Sequence, residues 1–155
     1  MPKSSFGFTL IELLITITIV GIMAGLLITI INPTLLRNRS KDGVIIGNVS
    51  KIAQAVEAFN AGEGSYPILN SFVEIQSAAT PYMKSLPTDA VYTYAYNATN
   101  KIACVSAPST VTVGKYFKYV SSCVSGVTGT PCTPGKVQVN CATPCLNGLS
   151  ASFTC

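Results

Sequence analysis

Cysteine is the most reactive residue type in this chain, and its distribution is uneven. All six cysteines fall between residues 104 and 155 of a 155-residue chain. An even number clustered in one region is typical of disulfides formed in an oxidising compartment. Many pairings are possible, and the sequence does not choose among them. The predicted disulfide residues are Cys104, Cys123, Cys132, Cys141, Cys145 and Cys155.

A metal centre is the alternative use of these cysteines. The chain has no histidine, and the closest cysteine pair, Cys141 and Cys145, has no second pair of matching spacing. Structural zinc is normally held by four cysteine or histidine ligands supplied as two such pairs. We therefore expect no bound metal.

Enzymatic chemistry is disfavoured by the residues that are absent. Without histidine there is no histidine general base and no Ser-His-Asp triad. Only six acidic residues are present, so paired-carboxylate catalysis is also not expected, and no glycine-rich phosphate loop occurs. The sequence predicts a protein that is not an enzyme and has no cofactor.

Glu12 is the one charged residue in an otherwise apolar run from Phe8 to Ile31. A carboxylate near the middle of a membrane helix costs about 2.5–3.5 kcal/mol on insertion scales, and less near the membrane interface. Such a residue is a functional candidate by default. The alternative is a carboxylate that reaches the lipid headgroups because it lies so close to Phe8.

The apolar run itself, residues 8–31, is long enough to span a membrane, which takes about 20 residues. It follows a short polar head, residues 1–7, that contains the basic Lys3. A secretory signal would have a shorter apolar region followed by a small-residue cleavage site, and neither is present. We therefore interpret residues 8–31 as a transmembrane helix.

A second, amphipathic helical segment follows at residues 32–61. Pro33 removes a backbone donor and predicts a bend in one long helix. The helix should end at residues 62–64, Gly-Glu-Gly. One helix over residues 8–61 would be about 80 Å long, so half of it must project into lipid or other subunits. One apolar stripe should face the core, and its members are Ile45, Val49, Ile52, Val56 and Phe59.

The rest of the chain is typical of a β-sheet domain behind a connecting region. Residues 62–89 contain turns and short helical pieces, and residues 90–155 contain four β-rich segments separated by Gly/Pro/Thr loops. The fold class is α+β. The expected strands are residues 91–97, 101–107, 115–124 and 136–141, with a possible fifth at residues 150–155.

Charge in this last region is weakly positive. No acidic residue follows Asp89, and four lysines do. Their scatter is typical of solvated surface residues, and a nucleic-acid site would normally be denser and include arginine. Nucleic acid is therefore a weakly supported partner. The lysines are Lys101, Lys115, Lys118 and Lys136.

The N-terminal stretch FGFTLIELLITITIVGI resembles type IV prepilins and the pseudopilins of type II secretion, with a short basic leader, Gly7, Phe8 and Glu12 in the matching places. The segments SYP at 65–67 and LPTDAVYTY at 86–94 are similar to the part of major pseudopilins that joins helix to sheet. The resemblance implies the type IV pilin fold, a long bent N-terminal helix packed on a C-terminal antiparallel sheet with disulfide-rich loops.

Processing and assembly also follow from the resemblance. It implies that a prepilin peptidase removes residues 1–7 by cutting between Gly7 and Phe8, and that the new Phe8 amine is methylated. Subunits would then form a helical filament with the apolar helices inside. Glu12 could pair with the Phe8 amine of a neighbouring subunit, because two charges in an apolar core offset each other's desolvation only as a pair. Gly21 and Gly25, spaced GxxxG, would let helices approach closely.

The sequence therefore predicts a pilin, a structural subunit that polymerises with copies of itself. Its partners would be the inner membrane before assembly, the prepilin peptidase and the pilus assembly machinery. It would begin as a membrane-inserted precursor and end in an extracellular filament. Three alternatives stay open: a secretion pseudopilin, a minor pilin for adhesion or DNA uptake, and a membrane-anchored extracellular domain that does not polymerise. The absence of acids after Asp89 and the presence of cysteines favour the pilin over the pseudopilin.

Overall fold

The chain forms two compact units, residues 1–37 and residues 38–155. The computed structural model describes residues 7–30, 32–69, 71–77, 81–122 and 133–146.

The first helix, α1, spans Leu10–Ile30. Every side chain from residue 8 to residue 27 is exposed to solvent in the isolated subunit. In the part of the chain that is described, α1 is the one helix long and apolar enough to cross a membrane, judged by length and composition. Alternating Ile and Thr at residues 15–19 do not form a strand, because they lie inside this helix.

The second helix, α2, spans Pro33–Glu63. Asn32 is not helical, and its Oδ1 atom accepts hydrogen bonds from the backbone N–H groups of Thr34 and Leu35, both at 3.1 Å. Asparagine is a favoured N-cap and proline suits the first helical position. Where the sequence predicts one helix that continues past Pro33, the structure starts a new helix there. A bend of the helix axis at Pro33 stays a prediction.

The end of α2 is set by a glycine with a left-handed backbone. Gly64 has φ 75°, and its N–H donates to the carbonyl oxygen of Asn60 at 3.0 Å. This is the usual way in which a helix terminates. The helix passes through Gly62 and ends at Glu63, within the Gly-Glu-Gly segment at residues 62–64 where the sequence predicts its end. A Cβ atom at position 62 would collide with the hydroxyl group of Tyr82.

The predicted apolar stripe on α2 is confirmed as the centre of the hydrophobic core. Ile45, Val49, Ile52 and Val56 are fully buried, and Phe59 packs at the margin of the same cluster. A short helix, α3, spans Val73–Ser77 in the connecting region and contributes its buried isoleucine to this cluster.

The four predicted strands are present, each starting one or two residues later than predicted, and they form one antiparallel sheet in which strands adjacent in sequence pair. A helix, α2, packed on a four-stranded antiparallel sheet matches the pilin fold. The possible strand at residues 150–155 lies outside the described residues. The strands are β1 Thr93–Asn97, β2 Ile102–Pro108, β3 Tyr116–Val120 and β4 Val137–Cys141.

Both faces of β2 are buried. Alternate residues, including Val105, belong to the core cluster with α2, whereas Ile102 and Cys104 belong to a second cluster on the opposite face. A disulfide joins Cys104 to Cys145, and the N–H of Cys145 donates to the Ser106 hydroxyl at 2.8 Å. We call residues 141–146 the strap, because they hold this outer face of the sheet away from water.

A third described cysteine, Cys141, is also disulfide-bonded. Cys123, Cys132 and Cys155 lie outside the described residues, so complete pairing of the six cysteines stays a prediction.

Candidate assembly site

Glu12 has a hydrogen-bonding partner within its own helix. Thr9 lies at the N-cap of α1, and its Oγ1 atom accepts from the Glu12 backbone N–H at 3.3 Å. The Thr9 hydroxyl in turn reaches Glu12 Oε2 at 3.4 Å. This resembles a capping box, and a carboxylate in the first turn also meets the positive end of the helix dipole. Thr9 was not among the site residues predicted from the sequence. The spacing T-x-x-E before an apolar run could have identified it, because this spacing is the pattern of a helix capping box.

Two threonine hydroxyl groups of α1 are satisfied inside the helix. The Thr16 and Thr18 hydroxyls donate to the carbonyl oxygens of Leu13 and Ile15, each at 2.8 Å. Bonds of this kind let a hydroxyl enter an apolar medium without losing a partner. Glu12 is thus the only charge that α1 brings into lipid or into an apolar interface.

Gly21 and Gly25 lie on exposed faces of α1. A Cβ atom added at either position would meet nothing within 4 Å. Packing within the subunit therefore gives no reason for glycine at these two places. Close approach of a second helix would give one, and this role stays a prediction.

The expected cleavage site precedes α1 and is accessible. Gly7 and Phe8 are non-helical and exposed, and Phe8 buries little of its ring in the subunit. The earlier residues of the leader, 1–6, lie outside the described residues.

Asp42 is a buried acid that the sequence reasoning missed. It lies on α2 and accepts hydrogen bonds from the Ser109 hydroxyl at 2.7 Å and from both the backbone N–H and the hydroxyl of Thr110 at 2.6 Å. Burial alone would raise the pKa of Asp42, but the hydrogen bonds from Ser109, Thr110 and Val111 together lower it below its usual value. A signal did exist, because Asp42 continues the apolar stripe one step before Ile45.

Glu57 joins three parts of the second unit. Its carboxylate accepts from the Tyr66 hydroxyl at 2.9 Å and from the Tyr119 hydroxyl at 2.8 Å. These contacts tie α2 to the connecting region and to β3. Burial raises the pKa of Tyr66, and the carboxylate beside it acts in the same direction.

The remaining acids also make hydrogen bonds within the subunit. Glu63 accepts from Tyr82, Glu74 from the N–H of Leu69, and Asp89 from Asn48 and Tyr92. Among the described residues, no group of three or more histidine, cysteine or acidic side chains is placed to hold a metal ion. The five acids of the second unit therefore hold loops and tyrosines in place.

The prediction that Lys118 is a solvated surface lysine is wrong. Its side chain is 0% exposed. The alternation along β3 does point it to the outer face of the sheet, and the strap covers that face. Its Nζ atom donates to Thr143 Oγ1 at 3.2 Å, and burial lowers its pKa to about 8.

The buried lysine makes stability depend on alkaline pH. A lysine whose pKa is lower when folded binds fewer protons in the folded state, so the free energy of unfolding should rise as pH increases from about 8 toward 10. We expect the difference in unfolding free energy between the wild type and Lys118→Met to change between about pH 7 and about pH 9.5, in favour of the wild type at the higher pH. Chemical denaturation of the full-length protein in detergent measures it, and an equal difference at both pH values would contradict it.

Comparison with known families identifies the N-terminal part of the chain. Residues 2–28 match the family model described as the prokaryotic N-terminal methylation motif. No curated protein and no solved structure matches the chain significantly. The matched residues include Gly7, Phe8, Thr9 and Glu12 and most of α1. The motif and the apolar helix behind it therefore give this chain the N-terminus of a type IV pilin-like or pseudopilin precursor.

Proposed function

We propose that this protein is a structural subunit that leaves the membrane and polymerises through α1 into an extracellular filament. The observation that carries the proposal is the state of α1, whose apolar side chains are exposed as far as residue 27, while Glu12, Thr16 and Thr18 make hydrogen bonds within the same N-terminal segment. Contiguous apolar surface of this extent marks a site of contact with lipid or protein. The membrane covers it in the precursor, and copies of the same helix cover it in the filament.

The hydrophobic effect alone does not favour this transfer. Lipid tails are about as apolar as leucine, so moving α1 from lipid into a helical core gains little from burial. Specific contacts must then select the assembled state. Small residues at Gly21 and Gly25 and the charge of Glu12 are the features of α1 that can supply such contacts.

Glu12 gives the assembly a defined register. After cleavage, the amine of Phe8 carries a positive charge, and methylation does not remove it. In an apolar core, an unpaired charge is strongly unfavourable, whereas an amine placed beside the Glu12 carboxylate of a neighbour is compensated. Within the single subunit, Thr9 holds this carboxylate by one long hydrogen bond of 3.4 Å, which a charged amine can replace.

Processing of the leader gives the first test. We expect the mature chain to begin at Phe8 with an N-methyl group, because the methylation motif covers this position and Gly7 precedes it. Mass spectrometry of the N-terminal peptide from sheared surface material measures it. Gly7→Val should leave the full leader on a membrane-bound precursor. An intact Met1 in surface material, or a cut after residue 25, would contradict the proposal.

Mechanical shearing of cells separates a filament subunit from a membrane-anchored domain that does not polymerise. A filament subunit is recovered as fibres visible by electron microscopy whose main component is this chain. A lone membrane-anchored domain stays with the membrane fraction under the same treatment. Fibres that appear only when a secretion system is overproduced would favour the pseudopilin.

A further inference from the structure

The loop between β2 and β3, residues 109–115, is fastened unusually well for a surface loop. Besides the contacts to Asp42, the Ser109 hydroxyl accepts from the N–H groups of Val111 and Thr112 at 3.2 and 3.0 Å. The N–H of Ser109 donates to the carbonyl oxygen of Lys115 at 2.9 Å. The Thr110 hydroxyl also bonds to the carbonyl oxygen of Asn38 on α2. We call residues 109–115 the clamped loop.

These contacts bury almost nothing at the tip of the clamped loop. Val113 is 97% exposed and is followed by Gly114, whose φ is 75°. Rigid loops that present an apolar side chain have already lost the entropy that binding would otherwise cost. The surroundings are basic, with Lys115 on the loop itself and Arg39 and Lys41 exposed on the adjoining part of α2.

A second apolar surface, with acidic residues near it, lies in the connecting region that follows α2. Ile68, Leu69 and Val73 are each more than half exposed, and we call these three residues the distal patch. Within residues 63–77 there are two acids, Glu63 and Glu74, and no base.

The distal patch is also held in place. The carbonyl oxygen of Pro67 accepts from the Tyr94 hydroxyl at 2.8 Å, and the N–H of Leu69 donates to Glu74 Oε2 at 2.8 Å. Tyr66, just before it, is bound to Glu57 on α2. Both surfaces are therefore fixed to the same helix.

The positions of the two surfaces on α2 decide what kind of contact they can make. Asp42 holds the clamped loop, and Glu57 holds Tyr66 just before the distal patch, and these two positions on α2 are about 22 Å apart at 1.5 Å per residue. The two surfaces are therefore attached at different positions along α2. A contact between different patches on two copies is heterologous, and when its rotation does not close into a ring it produces an open helical array.

We propose that the clamped loop of one subunit docks on the distal patch of another copy of this chain, with Val113 entering among Ile68, Leu69 and Val73. Lys115 and Arg39 then face Glu63 and Glu74 across the contact. This inference rests on the proposed function. It adds a contact between the second units (residues 38–155) of two subunits to the packing of α1. A second copy is the expected partner because the two surfaces differ in charge and are attached at different positions along α2.

A photo-crosslinking amino acid at position 113 of the full chain tests the contact. Sheared filaments are irradiated, and cross-linked peptides are identified by mass spectrometry. We expect position 113 to be joined to residues 63–77, and filaments grown from a mixture of isotope-labelled and unlabelled subunits show whether such a link joins two copies. Filaments whose cross-links lie elsewhere would overturn this inference and leave the proposed function standing. The absence of filaments from the wild type would overturn both.

Two matched variants give a second readout. Val113→Asp places a charge in the proposed contact, whereas Val91→Asp makes the same change at a valine that is 73% exposed and belongs to neither surface. We expect Val113→Asp to lower the yield of sheared filament about tenfold at an unchanged level of membrane-resident subunit. Val91→Asp should leave both amounts unchanged. Equal yields from the two variants would overturn the inference.

Discussion

Glu12→Gln should abolish filaments while the subunit is still inserted and cleaved. Glutamine keeps the shape of the side chain and can still take part in a capping box with Thr9, so the start of α1 is preserved. Removing the charge also lowers the cost of membrane insertion. What is lost is the partner of a neighbour's Phe8 amine, and a buried charge left without its partner costs about 3–5 kcal/mol. The defect recurs at every subunit of the filament.

The measurement compares membrane-resident subunit with sheared filament in the same cells. Thr9→Val is the matched control, since it removes the cap and keeps the charge of Glu12. It should weaken the first turn of α1 by about 1 kcal/mol and leave filaments present in reduced amount. A normal filament yield from Glu12→Gln would contradict the pairing. Loss of the subunit itself would show that Glu12 acts earlier, in insertion or processing.

Asp42→Ala should strongly destabilise the second unit. Hydrogen bonds to a charged group are worth about 1.5–3 kcal/mol, and buried donors left without an acceptor cost about 1–3 kcal/mol each. The variant removes the acceptor of Ser109, Thr110 and Val111 together. We expect the free energy of unfolding to fall by about 3 kcal/mol, measured by chemical denaturation in detergent.

Asp89→Ala is the matched control for Asp42. Its carboxylate also accepts hydrogen bonds, from Asn48 and Tyr92, but it is exposed to solvent. Water can replace these partners, so the loss should be about 1 kcal/mol or less. Equal effects of the two substitutions would show that the clamp on the β2–β3 loop adds nothing to stability.

Acid pH provides an independent check on Asp42. Because the pKa of this carboxyl is lower in the folded state, its contribution is present above the unfolded value, about 3.9, and is lost as pH falls through the folded value. The wild type should therefore lose stability below about pH 4, and Asp42→Asn should lose less over the same range. Parallel pH profiles would contradict this assignment.

The elements of the fold were predictable because their periodicity is regular. Ile45, Val49 and Ile52 lie one or more turns apart on one face of α2, and the four β-rich segments have the alternating or β-branched character of strands. The start of α2 was not predicted, because Asn32 can act as an N-cap as readily as it can precede a bend. The end of α2 at Glu63 depends on which glycine takes the left-handed conformation.

The buried polar residues were less predictable for a different reason. Asp42 and Lys118 are buried by segments distant in sequence, a loop in one case and the strap in the other. Local patterns do not contain that information. The disulfide between Cys104 and Cys145 is of the same kind, since it depends on the C-terminal segment crossing the outer face of β2. The candidate site on α1 is entirely local, and for that reason Gly7, Phe8 and Glu12 could be selected from sequence.

A helical reconstruction of sheared filaments at side-chain resolution tests the central claim most directly. The account predicts residues 8–30 at the filament axis, with the Phe8 nitrogen of one subunit within ion-pair distance, about 4 Å, of the Glu12 carboxylate of a neighbour. A filament of this chain whose α1 helices lie away from the axis, or whose Phe8 amine and Glu12 have no contact between subunits, would contradict it.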